Sequence, residues 1–190
     1  MRFLKSTVGR KIIIAASGQV MVIFIVFHLL GNPFNPYSID IPIQGSLRQV
    51  VRFLLSLMLV LHVFYGIQIT LENHSAKPQS YAVNKNLRST FAGRNMIWTG
   101  ILAGIFVIYH LLQFSFSVFG GSFLKGYIVP AIYIGGLTAL FFHMYHGIAS
   151  FFQTMGWDNE RNLTVIEKTG RWLSFLLLAG YISIIILNRV

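Results

Sequence analysis

The sequence predicts an all-α integral membrane fold, one domain of five spanning helices, and three observations carry that prediction. Hydrophobic residues make up 55% of the 190 and charged residues only 11%, with a mean hydropathy of +0.66. An ordinary soluble domain carries about 25% charged residues. Five apolar stretches approach the roughly 20 residues that cross a hydrocarbon core: 12–30, 50–71, 96–119, 128–152 and 172–187. The segments between them are short and rich in turn formers, as in "GNPFNP" after the first stretch, "ENHSAKPQSYAVNKN" after the second and "GGSFLKG" after the third.

The first stretch follows basic residues, in the manner of a secretory signal. Its apolar run continues to Leu30, however, longer than an ordinary signal core, so it is read as the first span. The chain has no cysteine, which excludes disulfide, iron–sulfur and thiolate chemistry within it. It also lacks a Walker loop and a dinucleotide fingerprint.

Charge bias orients the spans. Eleven of the 15 Lys and Arg residues fall before the first span (Arg2, Lys5, Arg10, Lys11), between the second and third (Lys77, Lys85, Arg88, Arg94) or between the fourth and fifth (Arg161, Lys168, Arg171). Only Arg48, Arg52, Lys125 and Arg189 lie on the other side. The positive-inside rule then places the amino terminus in the cytoplasm. A net charge of +10 follows from this bias, and the basic face suits anionic lipid or an acidic partner. Nucleic acid is not expected as a partner.

Histidines fall one site to a span in the first four spans: His28, His62, His110 and the His143/His146 pair. An ionisable side chain inside the bilayer is costly and commonly marks function, although a single one can serve as an interhelical hydrogen bond. Depth pairs them. At about 1.5 Å rise per residue, His28 and His110 lie about 24 and 21 Å above the inner ends of their spans, whereas His62 and His143 each lie about 14 Å above theirs. The first and third spans can thus clamp one ligand near the outer surface, and the second and fourth another near the inner one.

Two imidazoles from facing helices at one depth are what bis-histidine haem ligation needs. Zinc or copper would call for three or four donors at one level, often with carboxylate or thiolate help that these spans lack. Ser17, Gly18, Gly66, Gly100, Gly104, Gly135, Gly136 and Gly147 are small enough to let a flat macrocycle, or simply another helix, approach the backbone.

"ASGQVMVIFIVFHLLGN", "LHVFYGIQITLENHSAKPQSYAV", "GRNMIWTGILAGIFVIYHLLQF" and "LFFHMYHGIASFFQTMGW" resemble the cytochrome b membrane anchor of succinate dehydrogenase and fumarate reductase, of the five-helix, diheme, single-subunit kind. The resemblance covers nearly the whole chain. It implies two haems b, a quinone (menaquinone in this branch), and a flavoprotein and an iron–sulfur subunit held on the cytoplasmic face of a bacterial inner membrane. It implies His28 with His110 and His62 with His143 as ligands. The family's fourth-span ligand stands four residues before a glycine, which selects His143 before Gly147 and leaves His146 as a neighbour for a propionate or a backbone group. Arg94, with Arg10 or Lys11, stands at the level of the inner haem's propionates, and Arg52, with Arg48, at the outer mouth; the positive-inside rule alone would also place the inner ones.

Some family members carry a glutamate two residues before the fourth-span ligand, where this chain has Phe141. No proton path through the middle is therefore expected, and Asp40 is the one acid on the outer face that could exchange protons with quinone. No catalytic residue is assigned. Two other readings use the same histidines: a stand-alone transmembrane diheme electron shuttle, and a haem-free scaffold in which they bond between helices.

Overall fold

The computed structural model describes residues 2–32, 45–76, 91–114 and 127–188, and every regular element among them is a helix. In chain order these are α1 (Arg2–Lys5), α2 (Thr7–Leu30), α3 (Gly45–Ser75), α4 (Phe91–Arg94), α5 (Met96–Phe114), α6 (Ile128–Met155) and α7 (Leu163–Asn188). α2, α3, α5, α6 and α7 are long and apolar enough to cross a membrane. The protein is a multi-pass membrane protein. Asp40, Lys77, Lys85, Arg88, Lys125, Arg189 and the end of the expected third span, 115–119, lie outside the described residues.

Four helices outrun their apolar stretches, α3 and α7 by the most. α3 continues to Ser75, so Glu72, Asn73 and His74, expected in a connecting segment, are helical. α7 begins at Leu163, nine residues ahead of the apolar run at 172. Hydropathy marks where a helix touches lipid. α3 meets no proline before Pro78, so nothing in its sequence breaks the backbone ladder where the apolar run ends at Leu71.

Local chemistry sets the other ends. The Ser6 hydroxyl accepts the Gly9 N–H at 3.0 Å and caps α2. Gly9 lies so close to the Phe3 carbonyl that a Cβ there would collide with it, which keeps the α1–α2 corner tight. α6 closes on Gly156 at φ 70°, a left-handed conformation that glycine adopts without penalty. Asn159 then turns the chain, its side-chain oxygen accepting the Arg161 and Asn162 N–H groups at 3.0 and 2.9 Å.

α6 is the central helix. It packs on α5, α7 and α2, and α3 packs on α2. Val22, Met144, Ile148 and Leu177 form one buried cluster; Phe106, Val129, Tyr133, Leu137 and Ile185 form another. Small residues bring the backbones together, as expected where lipid supplies no hydrophobic drive between helices. Gly170 seats Ile148 and Gly180 seats Leu29, while Ser174, 1% exposed, returns its hydroxyl to the Gly170 carbonyl at 2.8 Å. Phe53, Phe64, Leu71, Ile105 and Leu176 face outward, where acyl chains solvate them.

Polar ties cross the bundle at both ends. Arg10, 7% exposed, pairs its guanidinium with Glu72, and Gln68 donates to the same carboxylate at 3.2 Å. The start of α2 is thereby fastened to the end of α3. On α7 the Tyr181 hydroxyl donates to the Ile25 carbonyl of α2 at 2.8 Å. Tyr181→Phe removes that bond and is expected to cost about 0.6 kcal/mol, the average for side-chain bonds between membrane helices, read as a small fall in thermal unfolding temperature in detergent.

Candidate functional site

Four histidines meet in two layers. In the near layer, beside the start of α2, His62 of α3 and His143 of α6 bring their ring centroids to 5.9 Å with planes at 81°. In the far layer His28 of α2 and His110 of α5 do the same, at 5.9 Å and 78°. On α2, Gly18 touches the near pair and His28 stands ten residues on, so the layers are about 15 Å apart along the bundle. The partner helices of each pair, α3 with α6 and α2 with α5, make no extended packing contact with each other. In each layer the two rings meet between those helices.

The ring nitrogens are assigned by their partners. His62 Nδ1 lies 2.9 Å from the Ile14 carbonyl, and His143 Nδ1 lies 3.3 Å from the Met96 carbonyl. A carbonyl only accepts, so in both rings Nδ1 carries the proton. His110 Nδ1 stands 3.1 Å from the Tyr133 oxygen, and Tyr133 donates its own proton to Gln113 Oε1 at 3.0 Å. The phenol oxygen is then the acceptor, and His110 holds the same tautomer. Three of the four rings therefore keep Nε2 as the free lone pair, the arrangement by which a hydrogen bond at one nitrogen orients the other toward a metal. Phe24 stacks on His28 at 5.3 Å and 18°, and Phe114 lies 5.2 Å from His110.

The donor set is two imidazoles per layer. Among the described residues no three His, Cys, Asp or Glu converge on one point. A metal held at about 2 Å by a nitrogen on each side sets two ring centroids about 6 Å apart, close to the spacing of both pairs. Its remaining ligands would have to arrive with the group itself, as they do in a macrocycle. A Cβ placed on Gly66, Gly104, Gly135 or Gly147 would meet nothing within 4 Å, and Gly66 and Gly147 each sit one turn past a near-layer histidine. These residues fit a flat, metal-centred group.

The chain matches no protein-family model, no curated protein and no solved structure.

The other candidate residues lie around the layers. His146, half-buried, is one turn beyond His143. Arg94, exposed, closes α4 two residues before Met96, on the near side; Arg52, also exposed, stands ten residues before His62, toward the far layer. Arg10, expected among the candidate anion partners, is taken up by Glu72 instead. Exposed His74 lies in the last turn of α3, and Phe141 packs on Phe142 at 4.9 Å.

Sequence reasoning missed Tyr133, Gln113 and Tyr181. Gln113 follows His110 by three residues and so shares its helix face, which was a usable signal. Tyr133 and Tyr181 gave only the general one, that a phenol inside an apolar span needs a partner for its hydroxyl.

Proposed function

We propose that this chain is the diheme cytochrome b membrane anchor of a succinate:quinone oxidoreductase, passing electrons between an iron–sulfur subunit and membrane menaquinone. The carrying observation is the stack of two facing histidine pairs, each joining two helices that make no extended packing contact with each other. His28 and His110 would hold one haem b, and His62 and His143 the other. Bound there, the haem irons supply one-electron redox chemistry at two depths of the bilayer.

The protein's own part is to fix the rings. Ile14, Met96 and Tyr133 accept the Nδ1 protons and hold each imidazole in one tautomer and orientation, while outward-facing apolar residues keep the layers away from bulk water. Basic residues gather at the end where α2 and α5 begin and where α6 gives way to α7, namely Arg10, Lys11, Arg94, Arg161, Lys168 and Arg171. This bias supports a cytoplasmic amino terminus in a bacterial inner membrane. A flavoprotein and an iron–sulfur subunit would dock on that face.

The test is a dithionite-reduced minus oxidised spectrum of the freshly isolated complex, with haem quantified as the pyridine haemochromogen and copurifying flavin measured. Two b-type haems per chain with a flavoprotein support the reading. Two haems with no flavoprotein point to a stand-alone shuttle, and no haem at all overturns the cytochrome.

A further inference from the structure

The helix pairs α2–α3 and α5–α6 carry one pattern twice. "IFIVFHLL" at 23–30 matches "IFVIYHLL" at 105–112 in five of eight positions, and "LHVFYGI" at 61–67 aligns with "FHMYHGI" at 142–148. Gly18 precedes His28 by ten residues, and Gly100 precedes His110 by ten. His62 precedes Gly66 by four, and His143 precedes Gly147 by four.

The geometry repeats as well. A Cβ on Gly18 would stand 2.9 Å from His62 Cε1 and 3.2 Å from its Nδ1; on Gly100 it would stand 3.0 and 3.2 Å from the same atoms of His143. Each ring bonds the carbonyl four residues before its glycine, Ile14 or Met96. Next to each glycine a hydroxyl shares that carbonyl: Ser17 reaches the Ile14 oxygen at 3.1 Å and Thr99 the Met96 oxygen at 3.1 Å. α2 and α5 both run from the near layer to the far one. The relation between the units is therefore a rotation about the bundle axis, not an inversion.

We propose that the four histidine-bearing helices are two copies of one two-helix unit related by a twofold axis along the bundle, with Gly18 and Gly100 as equivalent positioning residues that seat the near-layer rings. Each ring pair then lies on the axis, and its members are symmetry mates. The symmetry ends at α7, which packs on α6 and is bonded to α2 through Tyr181; α2 packs on α6, while α3 and α5 have no such seam. The haem readout below rests on the reading under Proposed function, but the seats themselves do not.

Gly18→Ala and Gly100→Ala in the full chain test the equivalence. The added methyl presses on Cε1 and weakens the bond from Nδ1 to its carbonyl. In histidine ¹⁵N spectra of cofactor-free chain, Gly18→Ala is expected to move the His62 resonances alone, and Gly100→Ala those of His143 alone. In the holoprotein both variants raise the midpoint potential of one and the same haem, the one missing from His62→Ala. Ser17→Ala and Thr99→Ala, which free the carbonyl for the ring, lower that same potential and serve if a methyl at either glycine prevents folding. Variants of the two units that move different haems, or a shift in one unit with none in the other, overturn the proposal. Absence of haem from wild type overturns the cytochrome instead and leaves the nitrogen spectra to decide the seats.

Discussion

If the chain holds two haems as proposed, His143→Ala and His62→Ala are each expected to lower the haem content from two per chain to one, to remove the same haem, and to remove no more when combined. The reason is the geometry of the near layer. Its two rings stand 5.9 Å apart on helices that make no extended packing contact, and no third His, Cys, Asp or Glu converges there among the described residues, so neither ring has a substitute donor. His28→Ala and His110→Ala are expected to remove the other haem for the same reason. His146→Ala keeps both, since it stands one turn away. Pyridine haemochromogen content and the reduced spectrum of each variant read the outcome. A folding defect is separated from ligand loss by His143→Gly, in which added imidazole restores the missing haem while the protein is otherwise unchanged. Loss of haem in His146→Ala with retention in His143→Ala would reverse the ligand assignment.

Much of this arrangement was legible in the sequence, and the illegible part has a physical boundary. Hydropathy found five spans because lipid contact imposes composition over about 20 residues. Depth then paired the histidines whose rings meet, because helix rise is constant and successive spans run in opposite directions. Helix ends were not legible. The polar segments "TLENHS" and "LTVIEKTG" look like connections in a hydropathy reading, yet both are helical, since the hydrogen-bonded ladder does not depend on the membrane. The Arg10–Glu72 pair was hidden by the same error, because it joins one helix start to an overhang read as a loop.

The supporting partners of the rings were the other blind spot. Which phenol meets which imidazole depends on the rotation of helices about their axes, and hydropathy says little about rotation when every face is apolar. The repeat would have helped. Tyr133 lies ten residues before His143, and the equivalent position before His62 is Arg52. The two units therefore present different groups toward the far layer while seating the near-layer rings alike. Differences between the far-layer histidines are expected to arise there, and Tyr133 is where they can be measured.

Tyr133→Phe is expected to raise the midpoint potential of the far-layer haem and leave the near-layer haem where it was. The Tyr133 oxygen accepts from His110 Nδ1 at 3.1 Å while its proton goes to Gln113 at 3.0 Å, and the residue is 8% exposed, so water does not replace the hydroxyl. An imidazole that donates at Nδ1 is a stronger base at Nε2 and favours the oxidised metal. Removing the acceptor withdraws that preference. A net hydrogen bond of about 0.5–1.5 kcal/mol, with about 59 mV for each tenfold change in a one-electron couple, gives a rise of roughly 20–65 mV. Gln113→Leu moves the potential in the same direction but less, because the phenol oxygen stays in place and loses only the partner that orients its proton. Redox titration of the two haems, resolved by comparison with His62→Ala, reads both effects. A shift confined to the near-layer haem, or an equal shift of both, would mean that Tyr133 acts on the bundle as a whole and not through His110.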